Sequence, residues 1–173
     1  MTSFRVEVLT ENNWPKLRNI RLTALSADPT SFLSSHETEQ RYTSQRWRQE
    51  FSRGGWHVMV AIGRLRRRRY VGLVGVTRLP EMSSQECYLE YLWVAPRVRR
   101  RGMASMLLRT VLDRLYESGV HTVWLYILDG NEPARRLYQR FGFQSTNELS
   151  PLPDDPQRTE EKMRLHLYGP GPA

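Results

Sequence analysis

The chain has 173 residues, 39% of them hydrophobic, and a formal net charge of +8. This length suits one domain with a hydrophobic core and is too short for two comfortable ones. The charged fraction of 25% is ordinary for a folded protein and excludes a mainly disordered chain. The positive net charge favours an anionic partner.

The single cysteine, Cys87, excludes an internal disulfide and is typical of a reducing compartment. The first residues lack the charged and then apolar run of a signal peptide, and no apolar run approaches the length of a membrane span. We therefore expect a cytoplasmic protein with no membrane partner. Nearly all of the positive charge is arginine, since Lys16 and Lys162 are the only lysines, and this usage suggests a GC-rich bacterial genome.

The first fifty residues predict a strand followed by helices. Apolar and polar residues alternate over 4–9, which indicates a half-buried strand. Helical spacing of apolar residues predicts a helix over 12–25. Residues 28–40 break the periodicity and are interpreted as a loop, and a second helix is expected over about 38–52.

Three strands are predicted next. Residues 56–62 and 70–79 alternate in hydrophobicity and are separated by the basic turn 63–69, so they are expected to form a hairpin. Residues 86–94 form the third strand, which Pro96 ends by withdrawing a backbone donor.

The remaining chain alternates helices and strands. Residues 102–118 have an amphipathic helical pattern, and 120–128 are apolar on both faces, as in a central strand. A short helix is expected over 131–143, with Asn131 as its N-cap. Two terminal strands, about 143–149 and 161–168, are expected to be joined by a turn-rich loop.

The order of these elements predicts a mixed α/β fold. The strand, helix and strand between residues 86 and 128 imply a right-handed crossover between parallel strands, while the other strands are expected to pair antiparallel. We expect one central sheet of about seven strands flanked by about four helices. Residues 1–168 would form the single domain and residues 169–173 a disordered tail.

The stretch "RVRRRGMASMLL", residues 97–108, has the pattern of an anion site. The first N–H groups of a helix have no partner inside the helix, and the helix dipole adds positive charge there. Small residues at Gly102 and Ala104 would let a phosphate approach those groups. The alternative interpretations are a solvated turn and a nucleic-acid-binding run.

Two motifs carry a resemblance to a known family. Arg99, Gly102 and Ala104, placed after "LWVAP" and before an amphipathic helix, resemble the acetyl-coenzyme A signature of the GNAT superfamily of N-acetyltransferases. The stretch "NEPARRLYQRFGF" is similar to the second signature of that family. Together the motifs span residues 86–143. The resemblance implies the family's mixed sheet and acetyl-coenzyme A as co-substrate.

The resemblance also implies where the coenzyme binds. Its pyrophosphate would lie on the amides of about Arg99 to Ala104, and its pantetheine arm along the strand at Leu92 to Val94 and beside Asn131. The coenzyme-binding residues implied in this way are Leu92, Trp93, Val94, Arg99, Arg100, Arg101, Gly102, Met103, Ala104, Asn131 and Ala134. For Asn131 a plain helix cap is the alternative, and both roles are compatible.

Tyr138 corresponds to the family's usual general acid, which would protonate the departing thiolate. Its alternative role is core packing. The general base is expected to be Glu90, which in a regular strand would share one face with Leu92 and Val94, where related enzymes often keep a base. The alternative for Glu90 is an ion pair, and the other candidates are Glu86 and ordered water.

Other polar residues are interpreted more simply. Glu37 and Glu39 could hold a cationic substrate, but a solvated loop is favoured. Cys87 is expected to be inert, because no histidine lies near it in the sequence. The four histidines lack ligand spacing, so no metal site is expected. The arginine run 64–69 is interpreted as a solvated turn, which makes nucleic acid an unfavoured partner.

These inferences converge on an N-acetyltransferase that transfers the acetyl group of acetyl-coenzyme A to a primary amine by direct attack in a ternary complex. A small-molecule amine is the favoured acceptor, and the N-terminus or a lysine of a protein is the alternative. A coenzyme-sensing or nucleic-acid-binding module is the alternative from another class. Dimers are frequent among such proteins, so a homodimer is an alternative to a monomer.

Overall fold

The computed structural model describes most of the chain, and the fold below is that of the described residues, which are 4–32, 34–51, 56–64, 69–152 and 155–167. The tail predicted at 169–173 and most of the predicted arginine turn, 65–68, lie outside them. Within the described residues, every helix is too short or too polar to cross a membrane.

The N-terminal part forms one strand and three helices. Strand β1 is Phe4–Leu9, helix α1 is Trp14–Ala27, helix α2 is His36–Gln40 and helix α3 is Ser44–Gln49. Helix α1 buries an apolar stripe on the sheet, as its sequence predicts.

The prediction of one helix over 38–52 is wrong, and the loop predicted over 28–40 is helical at its end. The chain forms two short helices because two separate N-caps start them. The hydroxyl of Ser35 accepts a hydrogen bond from the N–H of Thr38 at 3.1 Å, and that of Thr43 accepts one from Arg46 at 3.2 Å. The described part therefore has five α-helices rather than about four.

The rest of the chain supplies six strands and two helices. In chain order they are β2 Trp56–Arg64, β3 Arg69–Arg78, β4 Glu86–Val94, α4 Met103–Glu117, β5 Thr122–Leu128, α5 Glu132–Arg140, β6 Gln144–Leu152 and β7 Asp155–His166.

All strands belong to one sheet with the order β1-β2-β3-β4-β5-β7-β6. The pairs are antiparallel except β4 and β5, which are parallel and connected through α4. The predicted mixed α/β fold with one central sheet and a parallel crossover is therefore confirmed. Helix α4 contacts β2, β3 and β4, and its apolar stripe is buried there except at Met106, which is exposed.

The C-terminal hairpin is longer than predicted. The turn-rich loop expected between 150 and 160 is mostly strand, since Ser150 pairs with Glu160 and Pro151 with Thr159. β6 is an edge strand, where a proline costs no ladder hydrogen bond if its nitrogen faces outward. β6 is exposed along almost its whole length, so it lacks the alternation that would identify it in the sequence.

Candidate active site

Strand β4 contains a bulge at the centre of the sheet. Leu73 pairs with Trp93 and Gly75 with Glu90, so two residues of β4 lie opposite one residue of β3. The pairing of β2 with β3 is regular through the same residues, which places the extra residue on β4. Tyr91 adopts the left-handed conformation, with φ of 62°. Few non-glycine residues do so, and the local backbone is therefore strained.

The bulge changes which side chains share a face. Cross-strand partners lie on the same face, and the β3 partners of Glu90 and Trp93 are two residues apart, so Glu90 and Trp93 share a face. Val94 is on the opposite face. The expectation that Glu90 shares a face with Leu92 and Val94 is therefore wrong, because the extra residue shifts the alternation by one position.

The two parallel strands separate after Tyr88, before the bulge. β4 and β5 pair only where Glu86, Cys87 and Tyr88 face residues 122–124. The later part of β5 continues to pair with β7, and that of β4 with β3. An opening results between the carboxyl ends of β4 and β5, where one edge of β4 has no strand partner within the described sheet.

The loop after β4 leads into the uncapped N-terminus of α4. Arg100 and Gly102 both have left-handed backbones, with φ of 58° and 77°. Gly102 is the N-cap, and no described side chain caps this end of the helix. The first N–H with a partner inside the helix is that of Met106, which donates to the Gly102 carbonyl at 2.9 Å. The amides before it have no partner inside the helix, as in an anion-binding helix terminus.

Space is open in front of this helix terminus. A Cβ built on Gly102 would meet no atom within 4 Å. The glycine is therefore required for its backbone conformation and leaves the approach to the first amides clear. Of the phosphate site predicted at Arg99 to Ala104, residues 100–104 have a geometry that fits it.

Arg99 does not fit the predicted phosphate role. Its Nε donates to the carbonyl of Val94 at 2.8 Å, and its Nη2 to Oδ2 of Asp28 at 2.5 Å. Its backbone N–H donates to the carbonyl of Pro96 at 3.3 Å. A 3-10 turn over Pro96–Val98 has Arg99 as its C-cap, and this turn withdraws the amide from the anion site. Arg100 and Arg101 are exposed beside that site.

Tyr138 lies in the core on α5. It is 7% exposed, and its ring meets that of Phe143 edge-on with a centroid distance of 5.5 Å. Burial raises the pKa of its phenol, which keeps the hydroxyl protonated. At the start of the same helix, Oδ1 of Asn131 accepts a hydrogen bond from the N–H of Ala134 at 3.4 Å. Asn131 is therefore a helix cap through Oδ1. Its side-chain Nδ2 is a further polar group that the cap does not use.

A cavity of about 670 Å³ lies beside the opening. The first three helices and strands β3 to β7 contribute to its wall. Glu90 lines it, together with Tyr88 and Tyr126, whose rings stack at 5.7 Å. Glu160 lines the same wall, and burial raises the pKa of its carboxyl. Tyr138 does not line this cavity, which we call the acceptor cavity.

Sequence reasoning missed an ion pair in this cavity. Glu39, expected in a solvated loop, is 5% exposed and accepts hydrogen bonds from Nε and Nη2 of Arg21. The distances are 2.7 to 3.1 Å. Arg21 lies in the apolar stripe of α1 beside Ile20, and a charge in that stripe is the signal that could have revealed it. Glu37 is exposed, as expected, and pairs with Arg41.

The remaining candidates near β4 have other roles. Glu86 does not line the acceptor cavity, and its carboxylate accepts a hydrogen bond from Trp124 at 3.3 Å. Cys87 is fully buried, which raises the pKa of its thiol to about 12. A thiol in this environment is protonated at neutral pH and is a poor nucleophile.

The chain belongs to the Acetyltransferase (GNAT) family, whose sequence profile it matches over residues 14–143. Two curated relatives are acetyltransferases of different acceptors. A mycothiol acetyltransferase of Brachybacterium faecium is 36% identical over 81 residues, which are 46% of this chain and 24% of the relative. A [ribosomal protein bS18]-alanine N-acetyltransferase of Haemophilus ducreyi is 31% identical over 85 residues, which are 47% of this chain and 59% of the relative.

These matches span less than two thirds of either relative. The fold is similar over nearly the whole chain to that of solved structures. The crystal structure of spermidine N-acetyltransferase from Vibrio cholerae, in complex with CoA and spermine, superposes with a TM-score of 0.68 at 14% identity. It covers 94% of this chain and 95% of the other.

Proposed function

We propose that the protein is an acetyl-coenzyme A dependent N-acetyltransferase that acts on a primary amine by direct transfer in a ternary complex. One observation carries the proposal. The unpaired edge of β4 leads, through two left-handed residues, to the uncapped N-terminus of α4. Residues 1–168 would form the catalytic domain.

The described residues fit acetyl-coenzyme A. The open approach at Gly102 and the amides of Met103 and Ala104 would hold the pyrophosphate, with Arg100 and Arg101 supplying charge at the rim. The edge of β4, Leu92, Trp93 and Val94, would align the pantetheine arm, together with Asn131 and Ala134. When bound, the coenzyme supplies an acetyl thioester.

Glu90 is the proposed general base. An amine near neutral pH is mostly an ammonium ion, so it must lose a proton before its nitrogen can attack a carbonyl carbon. Glu90 lines the acceptor cavity next to the bulge, whereas Glu86 is held by Trp124 outside it. Its carboxylate would take the proton directly or through a water molecule.

Tyr138 is the proposed general acid. As the amine forms its bond to the acetyl carbon, the carbon–sulfur bond breaks and the sulfur needs a proton. The buried phenol is kept protonated and can give that proton. A base facing the acceptor cavity and an acid outside it agree with reactants that enter from different sides of β4.

The acceptor cavity favours a small amine or the end of a longer chain, because a volume of about 670 Å³ holds a drug-sized molecule. The relatives named above are a mycothiol acetyltransferase and a [ribosomal protein bS18]-alanine N-acetyltransferase, so small-molecule and protein acceptors both occur among them. The proposal includes a cytoplasmic location in a bacterium, which the lone reduced Cys87 supports.

The test is the thermal stability of the protein with acetyl-coenzyme A, coenzyme A and ATP, followed by release of free thiol with a panel of amines. Both coenzymes should raise the melting temperature more than ATP does, because ligands that bind only the folded state stabilise it. Stabilisation without thiol release for any amine would indicate a coenzyme sensor. No stabilisation at saturating coenzyme would refute the proposal.

A further inference from the structure

Two residues that line the acceptor cavity each carry a buried hydrogen-bond donor without a partner. Among the described residues, these are Nη1 of Arg21 and Nε1 of Trp47, and no other buried side-chain nitrogen or oxygen lacks one. The two residues are 6% and 1% exposed. Buried polar groups in proteins are nearly always hydrogen-bonded, and an unpaired donor costs free energy. Both groups can only donate, so they require an acceptor atom.

The direction of the Arg21 donor is fixed. Nε and Nη2 bind Glu39, and the guanidinium is planar, so Nη1 points away from that carboxylate. The guanidinium carbon lies 4.6 Å from the ring centroid of Phe32 and 4.4 Å from that of Tyr91. Two rings and one ion pair therefore hold the side chain in a single orientation.

The protein offers little to satisfy this donor. Glu39 is already engaged by two nitrogens of Arg21, and Glu50 is paired with Arg46 at 3.1 Å.

Arg21 is also close to the proposed base. It contacts the ring of Tyr91, the residue that follows Glu90, and Arg21 and Glu90 line the same cavity. The cavity that would hold an amine at Glu90 therefore also contains Arg21.

We propose that Arg21 donates a hydrogen bond from Nη1 to an oxygen of the acceptor. The acceptor class is then a primary amine with a nearby carbonyl or carboxylate, as in amino acids, amino acid amides and peptide N-termini. Trp47 supplies a second donor to the same molecule. A linear polyamine has no such oxygen and leaves both donors unpaired. This inference rests on the proposed function, because it assigns the acceptor of the same reaction.

The first experiment compares acceptors on the wild-type protein. Alaninamide and 2-aminobutane are similar in size, but only the first carries an oxygen, and trialanine and spermidine extend the comparison to longer amines. Because an α-carbonyl lowers the pKa of an amine, the rates are referred to the concentration of unprotonated amine. On that scale we expect kcat/KM for alaninamide or trialanine to exceed that for its oxygen-free counterpart at least tenfold. Whether alaninamide or trialanine has the higher kcat/KM distinguishes a small amino acid derivative from a peptide N-terminus as the acceptor.

The second experiment compares variants. R21K keeps a cation beside Glu39 but loses the planar guanidinium group that directs Nη1. W47F removes the indole donor and keeps an aromatic ring. Each should lower kcat/KM about tenfold to a hundredfold for the oxygen-bearing amines and leave the oxygen-free amines nearly unchanged. R46K, at another arginine of the cavity, is the matched control and should not change the preference.

The outcomes separate the two proposals. Equal use of amines with and without oxygen, or an equal loss for both in R21K, would overturn the inference while thiol release still supports the acetyltransferase. Failure of every oxygen-bearing amine to react would also overturn it. Absence of coenzyme binding would instead refute the proposed function. The wild-type comparison needs no variant, so it decides the inference even if R21K or W47F does not fold.

Discussion

Arg99 and Asp28 form an ion pair that ties the loop before α4 to the end of α1. The Nη2 of Arg99 lies 2.5 Å from Oδ2 of Asp28, and the same oxygen accepts a hydrogen bond from Nε1 of Trp93 at 2.7 Å. One carboxylate therefore holds both the end of β4 and the start of the loop that leads into α4.

Replacing Asp28 by Asn should destabilise the protein by about 1 kcal/mol, because the charge-assisted bond to Arg99 is lost while an oxygen remains for Trp93. Urea unfolding measures the change. D113N removes an exposed aspartate from α4 and should have no effect. An equal change in both variants would mean that the ion pair adds nothing.

The Y138F variant should lower kcat roughly 100-fold, the scale of one general acid, because the ring still packs on Phe143 but carries no proton. Coenzyme affinity, measured by calorimetry, should not change. Y116F alters a half-exposed tyrosine on α4 and is the control. Unaltered turnover in Y138F would remove this hydroxyl from the mechanism.

The E90Q variant should remove the acidic limb of the pH profile of kcat/KM. A carboxylate base works only when it is deprotonated, so activity rises as the pH increases through its pKa and then levels. Rate measurements between pH 5 and 9, roughly the range in which such limbs appear, test this. E86Q should keep the limb, since Glu86 is bound by Trp124 outside the cavity. An unchanged limb in E90Q would point to water as the base.

Two glycines with the same backbone conformation give a matched test of the phosphate site. Gly102 and Gly119 both have φ of 77°, and a Cβ on either would meet no atom within 4 Å. G102A and G119A should each lose about 1 kcal/mol of stability through left-handed strain. Only G102A should also weaken coenzyme binding, because its methyl group would stand before the first amides of α4. Equal coenzyme affinity in both would contradict the site.

Neighbouring glutamates on β7 should respond oppositely to pH. Hydrogen bonds from Ser145 and then from Arg135 lower the pKa of Glu161, whereas burial raises that of Glu160. A carboxyl group whose pKa is lowered by folding stabilises the fold at pH values above its ordinary pKa. This stabilisation is lost as the pH falls through the pKa of the folded state. E161Q should therefore destabilise at pH 7 and less at acid pH, while E160Q should not destabilise at pH 7. Urea midpoints across pH test both, and a pH-independent loss in E161Q would contradict the assignment.

The sequence was most informative where a property is local. Helix α5, with Asn131 as cap and Tyr138 inside, follows from residues within one short stretch, as does the N-terminus of α4 at Gly102. The break between α2 and α3 was missed because Thr43 interrupts the pattern for only one turn.

Other features depend on partners distant in the chain. The bulge at Tyr91 is a difference in register between β3 and β4, which no spacing within β4 discloses, and it reversed the expected face of Val94. Arg99 resembles the family pattern by position, but its partner Asp28 is 71 residues away. The pairing of Arg21 with Glu39 likewise requires two helices to meet.

The short contact between β4 and β5 has a mechanical consequence. In the described part of the sheet, three β-ladder pairs join strands β1 to β4 to strands β5 to β7. The antiparallel pairings of β1 with β2 and of β2 with β3 each contain six or more. The sheet therefore consists of two parts, β1 to β4 and β5 to β7, that pair with each other over a short length. Helix α4 is the covalent connection between them. A molecule that fills the gap between β4 and β5 would extend the contact between the two parts. The bound substrate would then itself form part of the sheet.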